Sequence, residues 1–315
     1  MMARKPRLHF PGAIYHVSLR ANGAQQVCTD VADYTRLLLL IQEGIEKFGH
    51  RVHAYVLLPT EVRLVVEVDD VPLARIMQQL GFRYTRWFND RHQQQGHLFQ
   101  GRYKAILIDP ERYLLSLVRD LHLAAVTGAV DSDPMGYPWS SHRAYCGREQ
   151  VLWLTRTLVF SHFEETGIRA LMRFHAYVNE GLVEPAGLSF YCGGDYDPRI
   201  LGDKDYARSA LKLARQICPP EVEPERLLAL VLRDFGLTEA ELAAAGKNRQ
   251  CAQARAFLGW LCLETAGMTL TALGQRLGRD VSSLSSAIRR LQLAAKTDTQ
   301  LLERYQYLYE KSLKP

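Results

Sequence analysis

Long apolar runs are missing from this sequence. No stretch of about 18 uninterrupted apolar residues occurs in its 315 positions, so no membrane-spanning helix is expected. A secretory leader is not indicated either: the opening MMARKPRLHF is basic and leads into Pro11 and Gly12 rather than an apolar core. These absences set the expectation of a cytoplasmic, nucleoid-associated protein with no membrane partner. Cysteine is scarce and scattered. Cys28, Cys146, Cys192, Cys218, Cys251 and Cys262 contain no Cys-x-x-Cys pair. That spacing argues against a zinc site and a disulfide framework, and leaves reduced, mostly buried thiols as the expectation. No metal and no cofactor is predicted.

What is present is apolar material and unevenly placed charge. Hydrophobic residues make up 47% of the chain, and the length suggests two domains. The net charge of +5 is not uniform. Residues 1–150 carry 18 Lys and Arg against 15 Asp and Glu, residues 151–246 carry 10 against 14, and residues 247–315 carry 11 against 5. Basic ends around an acidic middle suit a polyanionic partner.

Alternation and β-branched content predict a strand over 13–20, a strand or hairpin over 50–68 interrupted at Pro59, and a strand near 102–108. Helical spacing predicts helices opened by Asp30, by Pro72 and by Asp109-Pro110. The order predicts an α+β domain over 1–150 with helices packed on an antiparallel or mixed sheet. Residues 131–147 read as a closing loop, 155–184 as helix, and 185–205 as a turn-rich linker, making 151–204 a connector. Helices at about 205–217, 224–235, 238–246, 249–266, 269–277 and 281–295 predict an all-α region over 205–315.

Two features carry chemistry in the first part. Glu61 and Arg63 lie two residues apart in an otherwise apolar strand, so they share one face of the sheet. From Arg75 to Lys104, six cations (Arg75, Arg83, Arg86, Arg91, Arg102, Lys104) stand against one acid, Asp90, with Tyr84, Trp87, Phe88, Phe99 and Tyr103 interleaved. Cations hold phosphate and aromatic faces stack on unpaired bases. The competing reading is a core of aromatics beneath a solvated basic face.

The blocks RKPRLHFPGAIYHVSLRAN, FGHRVHAYVLLP, YTRWFNDRHQQQGHLFQGRYKAILID and YPWSSHRAYCG resemble the REP-associated tyrosine transposases, a branch of the single-tyrosine HUH transposases. The resemblance implies a ferredoxin-like domain that binds folded single-stranded DNA. It also implies a metal held by a His-x-His pair and a helix side chain, with a tyrosine nucleophile on that helix. Aligned to those positions, this chain has Glu61 and Arg63 for the histidines, Asp120 for the tyrosine and Ala124 for the helper. Each catalytic position has changed. The expectation is therefore no catalytic residue, no metal and no phenol for covalent capture, with Glu61 and Arg63 converted into an ion pair. His16, His53 and His122 are read as structural. The same resemblance points to Arg83, Arg86, Arg102 and Lys104, with Tyr84, Trp87 and Tyr103, as the single-strand DNA surface. Arg4, Lys5, Arg7, Arg20 and Asn22 are added as flanking contacts.

MTLTALGQRLGRDVSSLSSAIRRL, residues 268–291, has the form of a helix-turn-helix. Leu270, Leu273 and Leu277 form an inner face, Gly278-Arg279-Asp280 the turn, and Leu284, Ile288 and Leu291 the second inner face. Arg279, Ser282, Ser283, Ser285, Ser286, Arg289 and Arg290 are the candidate contacts to duplex DNA. The segment resembles the DNA-binding end of the bacterial replication initiator, with Val281 where that family has a histidine. The function expected from the whole is a domesticated, non-cutting transposase-like DNA-binding transcription regulator. It would bind a hairpin or palindromic single strand at one end and duplex at the other. Two alternatives stay open: a nickase acting through Glu61, Asp120 and His122 or His53, and a post-transcriptional regulator that binds RNA.

Overall fold

The computed structural model describes residues 7–183, 190–215, 220–244, 248–266 and 268–313. The chain forms two compact units, one of residues 8–193 with 199–206, the other including residues 194–198 and 207–315.

In the first unit, β1 (Ile14–Arg20) is followed by α1 (Val31–Phe48), β2 (Arg51–Leu57), β3 (Glu61–Glu67), α2 (Leu73–His92), β4 (Lys104–Ile108) and α3 (Pro110–Thr127). The sheet order is β2-β3-β1-β4, all antiparallel, which is the ferredoxin-like arrangement. Helix boundaries follow local chemistry. The Asp30 carboxylate accepts from the Ala32 and Asp33 amides and starts α1; Gly49, at φ +70°, ends it in a left-handed turn that only glycine adopts without strain. Asp109 caps α3, whose first residue is Pro110. On one sheet face Leu64 and Val66 meet Leu40 and Ile41 of α1 and Ile76 and Met77 of α2. Each of these buried aliphatics contributes about 1.5–3 kcal/mol. Because strand side chains alternate, Glu61, Arg63, Val65 and Glu67 project on the opposite face, where α3 packs.

Beyond α3 the prediction needs correcting. The segment 131–147 was expected as loop but contains a short helix, α4 (His142–Tyr145). The expected single helix over 155–184 is α5 (Thr157–Phe160) and α6 (Gly167–Val183), separated by a turn that ends at Gly167 with φ +60°. The expected linker contains a strand, β5 (Ile200–Leu201), which pairs parallel to β4 at Leu107 and Ile108. Two residues are too few for alternation to register in a sequence.

After α7 (Lys204–Leu213) the second unit is helical: α8 (Pro224–Phe235), α9 (Glu239–Ala243), α10 (Arg249–Glu264), α11 (Leu270–Arg276), α12 (Val281–Ala294) and α13 (Thr299–Leu313). Helix α10 is buried on nearly every side and forms the centre, with Ala254, Phe257, Leu258 and Leu261 fully covered. Helix α13, absent from the sequence reading, packs through leucine and tyrosine: Tyr305 stacks on Trp260 at 3.7 Å, and Leu308 is buried. No helix of the described residues is long and apolar enough to cross a membrane.

Candidate nucleic-acid interface

The register of β1 against β3 sets Arg20 opposite Glu61 and Ser18 opposite Arg63, and β4 adds Lys104 opposite Ser18. Opposed residues share a face, so this one surface gathers Ser18, Arg20, Glu61, Arg63 and Lys104. Glu61 is its hub. Ser18 Oγ donates to Glu61 Oε1 at 2.6 Å, Arg20 Nε donates to the same oxygen at 3.1 Å, and Arg63 Nε donates to Oε2 at 3.2 Å. Arg63 also reaches the helix, with Nη1 donating to Asp120 Oδ2 at 3.0 Å. The guanidinium therefore bridges the two carboxylates. Glu61 and Arg63 are largely covered, with side chains 10% and 15% exposed, whereas Asp120 is 40% exposed.

A further group completes the site. The Tyr191 hydroxyl lies 3.2 Å from both Glu61 oxygens. The Arg20 and Arg63 guanidinium carbons lie 4.9 and 4.8 Å from its ring centre. This corrects the expectation that no phenol stands here. The residue comes from a segment beyond the matched blocks, so nothing in their spacing pointed to it. Burial pushes the Tyr191 hydroxyl above its ordinary pKa, with Arg63 opposing that and Glu61 adding to it. Burial would also raise Glu61, but Ser18, Arg63 and Arg20 outweigh it and hold the carboxylate below its usual range. Asp120 is raised, by burial first, with Arg63 opposing and Glu61 reinforcing. Tyr191 thus keeps its proton and donates a hydrogen bond to an ionised Glu61. Ala124 is buried on α3 and brings no polar atom.

The basic-aromatic window divides. Arg86, Arg102 and Lys104 are exposed, as are Arg20 and Asn22, whose amide donates to the His97 carbonyl at 3.3 Å. Trp87 and Tyr103 are half-buried. Tyr84 does not fit its expected role. It is fully buried, and its hydroxyl donates to the Val27 carbonyl and meets Cys28 Sγ at 3.4 Å, so no base can reach its ring. Leu80, Tyr84 and Phe88 form the inner stripe of α2 at four-residue spacing, a core pattern visible in the sequence. Arg83 also leaves the group: it pairs with Glu43 of α1, on the face opposite Lys104. Arg7 is half-buried, and Arg4 and Lys5 lie outside the described residues.

In the second unit, α11 and α12 form the expected hairpin, with Leu273, Leu277, Leu284, Ile288 and Leu291 inside. Gly278 turns the chain at φ +58°. A Cβ on Gly274 would come within 2.8 Å of the Arg279 carbonyl, so this close turn requires glycine. Asp280 caps α12 by accepting from the Ser283 amide at 3.1 Å. Ser282, Ser283, Ser286, Arg289 and Arg290 are exposed, and Ser285 is partly covered. Arg279 departs from expectation: its guanidinium donates to the Ala243 and Ala244 carbonyls at the end of α9, which makes it a brace for the turn.

Residues 10–117 match the family described as transposase IS200 like. Residues 224–291 match the family described as bacterial dnaA protein helix-turn-helix. Over 122 residues, 38% of this chain, the sequence is 27% identical to the chromosomal replication initiator protein DnaA of Corynebacterium jeikeium (strain K411). The match spans only 21% of that relative's length. A solved REP-associated tyrosine transposase bound to a REP hairpin aligns over 50% of this chain and 98% of its own, at 12% identity and a TM-score of 0.41.

Within the unit that holds residues 10–117, the histidines also sort themselves. His53 approaches Glu67 at 2.8 Å, and His16 holds the Phe190 carbonyl at 2.8 Å, so both are structural in this arrangement. His122 is fully buried against Ser141 at 2.8 Å. Cys146, expected as an isolated thiol, lies beside His142 and His175. Spacing could not signal that cluster, because its ligand atoms come from two helices distant in sequence.

Proposed function

We propose that the protein is a transposase-derived DNA reader that does not cut its substrate and acts in transcription regulation. The observation that supports this reading is Arg63 bridging Glu61 and Asp120, residues that the sequence resemblance aligns with the family's metal and nucleophile positions. A guanidinium has no lone pair to give a metal and keeps its charge at any working pH. A divalent ion about 4 Å from it would meet a repulsion of about 8 kcal/mol at an effective dielectric of 20. Both Glu61 oxygens are already accepting hydrogen bonds. This set of residues does not suit Mg²⁺.

Two DNA surfaces follow from this reading. Arg20, Asn22, Arg86, Arg102 and Lys104, with the edges of Trp87 and Tyr103, would hold a folded single strand. Ser282, Ser283, Ser285, Ser286, Arg289 and Arg290 on α12 would enter a major groove. Linking the two sites raises affinity through effective concentration.

A second reading has one observation in its favour. The Tyr191 hydroxyl lies against Glu61, and strand cutting through it would make the protein a nickase. The test is incubation of a labelled single-stranded DNA hairpin with the full chain and Mg²⁺ or Mn²⁺. The expected result is binding with no nick. Metal-dependent nicking that disappears in Tyr191→Phe or Asp120→Ala would overturn the first reading and establish the second. Matched DNA and RNA hairpins distinguish the ligand: tighter RNA binding would move the function to RNA. The regulatory role is tested by mapping bound chromosomal sites alongside a deletion transcriptome. Expression unchanged next to occupied sites would refute it.

A further inference from the structure

We propose that His142, Cys146 and His175 form a binding site for a transition-metal ion of the zinc class, separate from the Glu61–Arg63 position. His142 opens α4 and Cys146 closes it, four residues apart and so on one side of a single turn. His175 reaches them from α6. His142 Nε2 lies 3.1 Å from His175 Nδ1 and 3.5 Å from Cys146 Sγ, and the three ligand atoms lie within 4.8 Å of one another. Tetrahedral zinc, with bonds of about 2.05 Å to nitrogen and about 2.3 Å to sulfur, separates its ligands by about 3.3 Å for N–N and about 3.6 Å for N–S. The two edges that meet at His142 are close to those lengths.

Proton counting shows which atom is free to bind. Ser141 Oγ accepts from the Tyr55 amide at 3.0 Å and donates its only proton to the Tyr55 carbonyl at 3.2 Å. With the Ser141 proton on the Tyr55 carbonyl, His122 Nε2, 2.8 Å from that oxygen, is the donor. A neutral His122 then has a bare Nδ1, which accepts from His142 Nδ1 at 3.2 Å. His142 in turn has a bare Nε2, aimed at His175 and Cys146. The relay from the β2 backbone fixes a ligand tautomer, as supporting hydrogen bonds do for metal-bound histidine. On the far side, His175 Nε2 meets the Asn179 amide at 3.1 Å. Without metal, the His175 Nδ1 proton and the thiol proton both point at the His142 lone pair. With metal, His175 carries its proton on Nε2 and donates it to the Asn179 amide oxygen, Cys146 loses its proton to solvent, and water fills the fourth position. Binding releases the thiol proton, so affinity rises with pH.

The test uses the full chain, stripped with chelator and titrated with Zn²⁺ or Co²⁺ alone. The expected result is one metal per chain and, with Co²⁺, a thiolate-to-cobalt charge-transfer band. Cys146→Ser should abolish that band with the circular dichroism unchanged, while Cys192→Ser keeps it. Asn179→Ala, removing an outer partner, should weaken zinc about 10- to 100-fold. If Cys146→Ser does not fold, peptide mapping of wild type after iodoacetamide replaces it, with zinc expected to protect Cys146. No stoichiometric metal, a charge-transfer band that survives Cys146→Ser, or alkylation of Cys146 at the same rate with and without zinc would each overturn the proposal.

Discussion

Removing the two partners of the central ion pair should cost different amounts. Glu61 accepts from Ser18, Arg20, Arg63 and Tyr191. In Glu61→Ala, the buried Ser18 hydroxyl and the Tyr191 hydroxyl lose their acceptor, and Arg63 keeps only Asp120. Arg20 is half exposed and rehydrates, so it adds little. An abandoned buried donor costs about 1–3 kcal/mol, and a broken buried pair about 3–5 kcal/mol. The expected loss is about 3–5 kcal/mol. In Arg63→Met, Glu61 retains three donors, the aliphatic volume is kept, and Asp120, 40% exposed, turns to water. The expected loss is about 1–2 kcal/mol. Urea unfolding followed by tryptophan fluorescence measures both. It is done in a Trp260→Phe background, so that Trp87, Trp139 and Trp153 report only the unit that contains them. A loss in Arg63→Met equal to or larger than that in Glu61→Ala would refute the view of Glu61 as the hub.

Acid should weaken the first unit in two stages. Burial lowers His16 and His50 to about 4 each, so folding favours their neutral forms, and that contribution drains away as pH falls from 6.5 toward 4. Burial would raise Glu67, but His53 and Arg51 bring it to about 2, and its contribution is lost as pH falls below 4.5 toward 2. Thermal midpoints against pH test this, and a flat response between pH 7 and 4.5 would contradict it. Arg289→Ala with Arg290→Ala should reduce the log K against log salt slope for duplex DNA by about 2 while sparing the hairpin; an unchanged slope would exclude α12 as the phosphate contact. Gly259→Ala would bring a Cβ to 2.5 Å from Ile288 Cδ1, and this overpacking of α10 against α12 should cost about 1–3 kcal/mol and weaken duplex binding with it. Trp260 fluorescence during unfolding would report a null effect if the two helices can separate freely.

The sheet, its three covering helices and the helical hairpin were legible because each announces itself locally. Periodicity, Asp30, Asp109-Pro110 and the Gly278 turn are signals within a few residues. Glu61 beside Arg63 was legible for the same reason. Tyr191, β5 and the His142–Cys146–His175 cluster were not, because each depends on chain segments meeting in space with no regular spacing between them. Tyr84 was misread because an aromatic between arginines looks like a stacking platform until its four-residue phase with Leu80 and Phe88 is weighed.

The two residues of β5 seal one flank of the sheet, although they follow β4 by about ninety positions. A chain shortened to the first 150 residues would lack them, together with Tyr191. It would display β4 as a raw ladder of amides and carbonyls, open to the same ladder on another molecule. Self-association of such a fragment would then reflect the missing seal at Leu107 and Ile108, and its behaviour toward DNA would describe a surface altered from that of the intact protein.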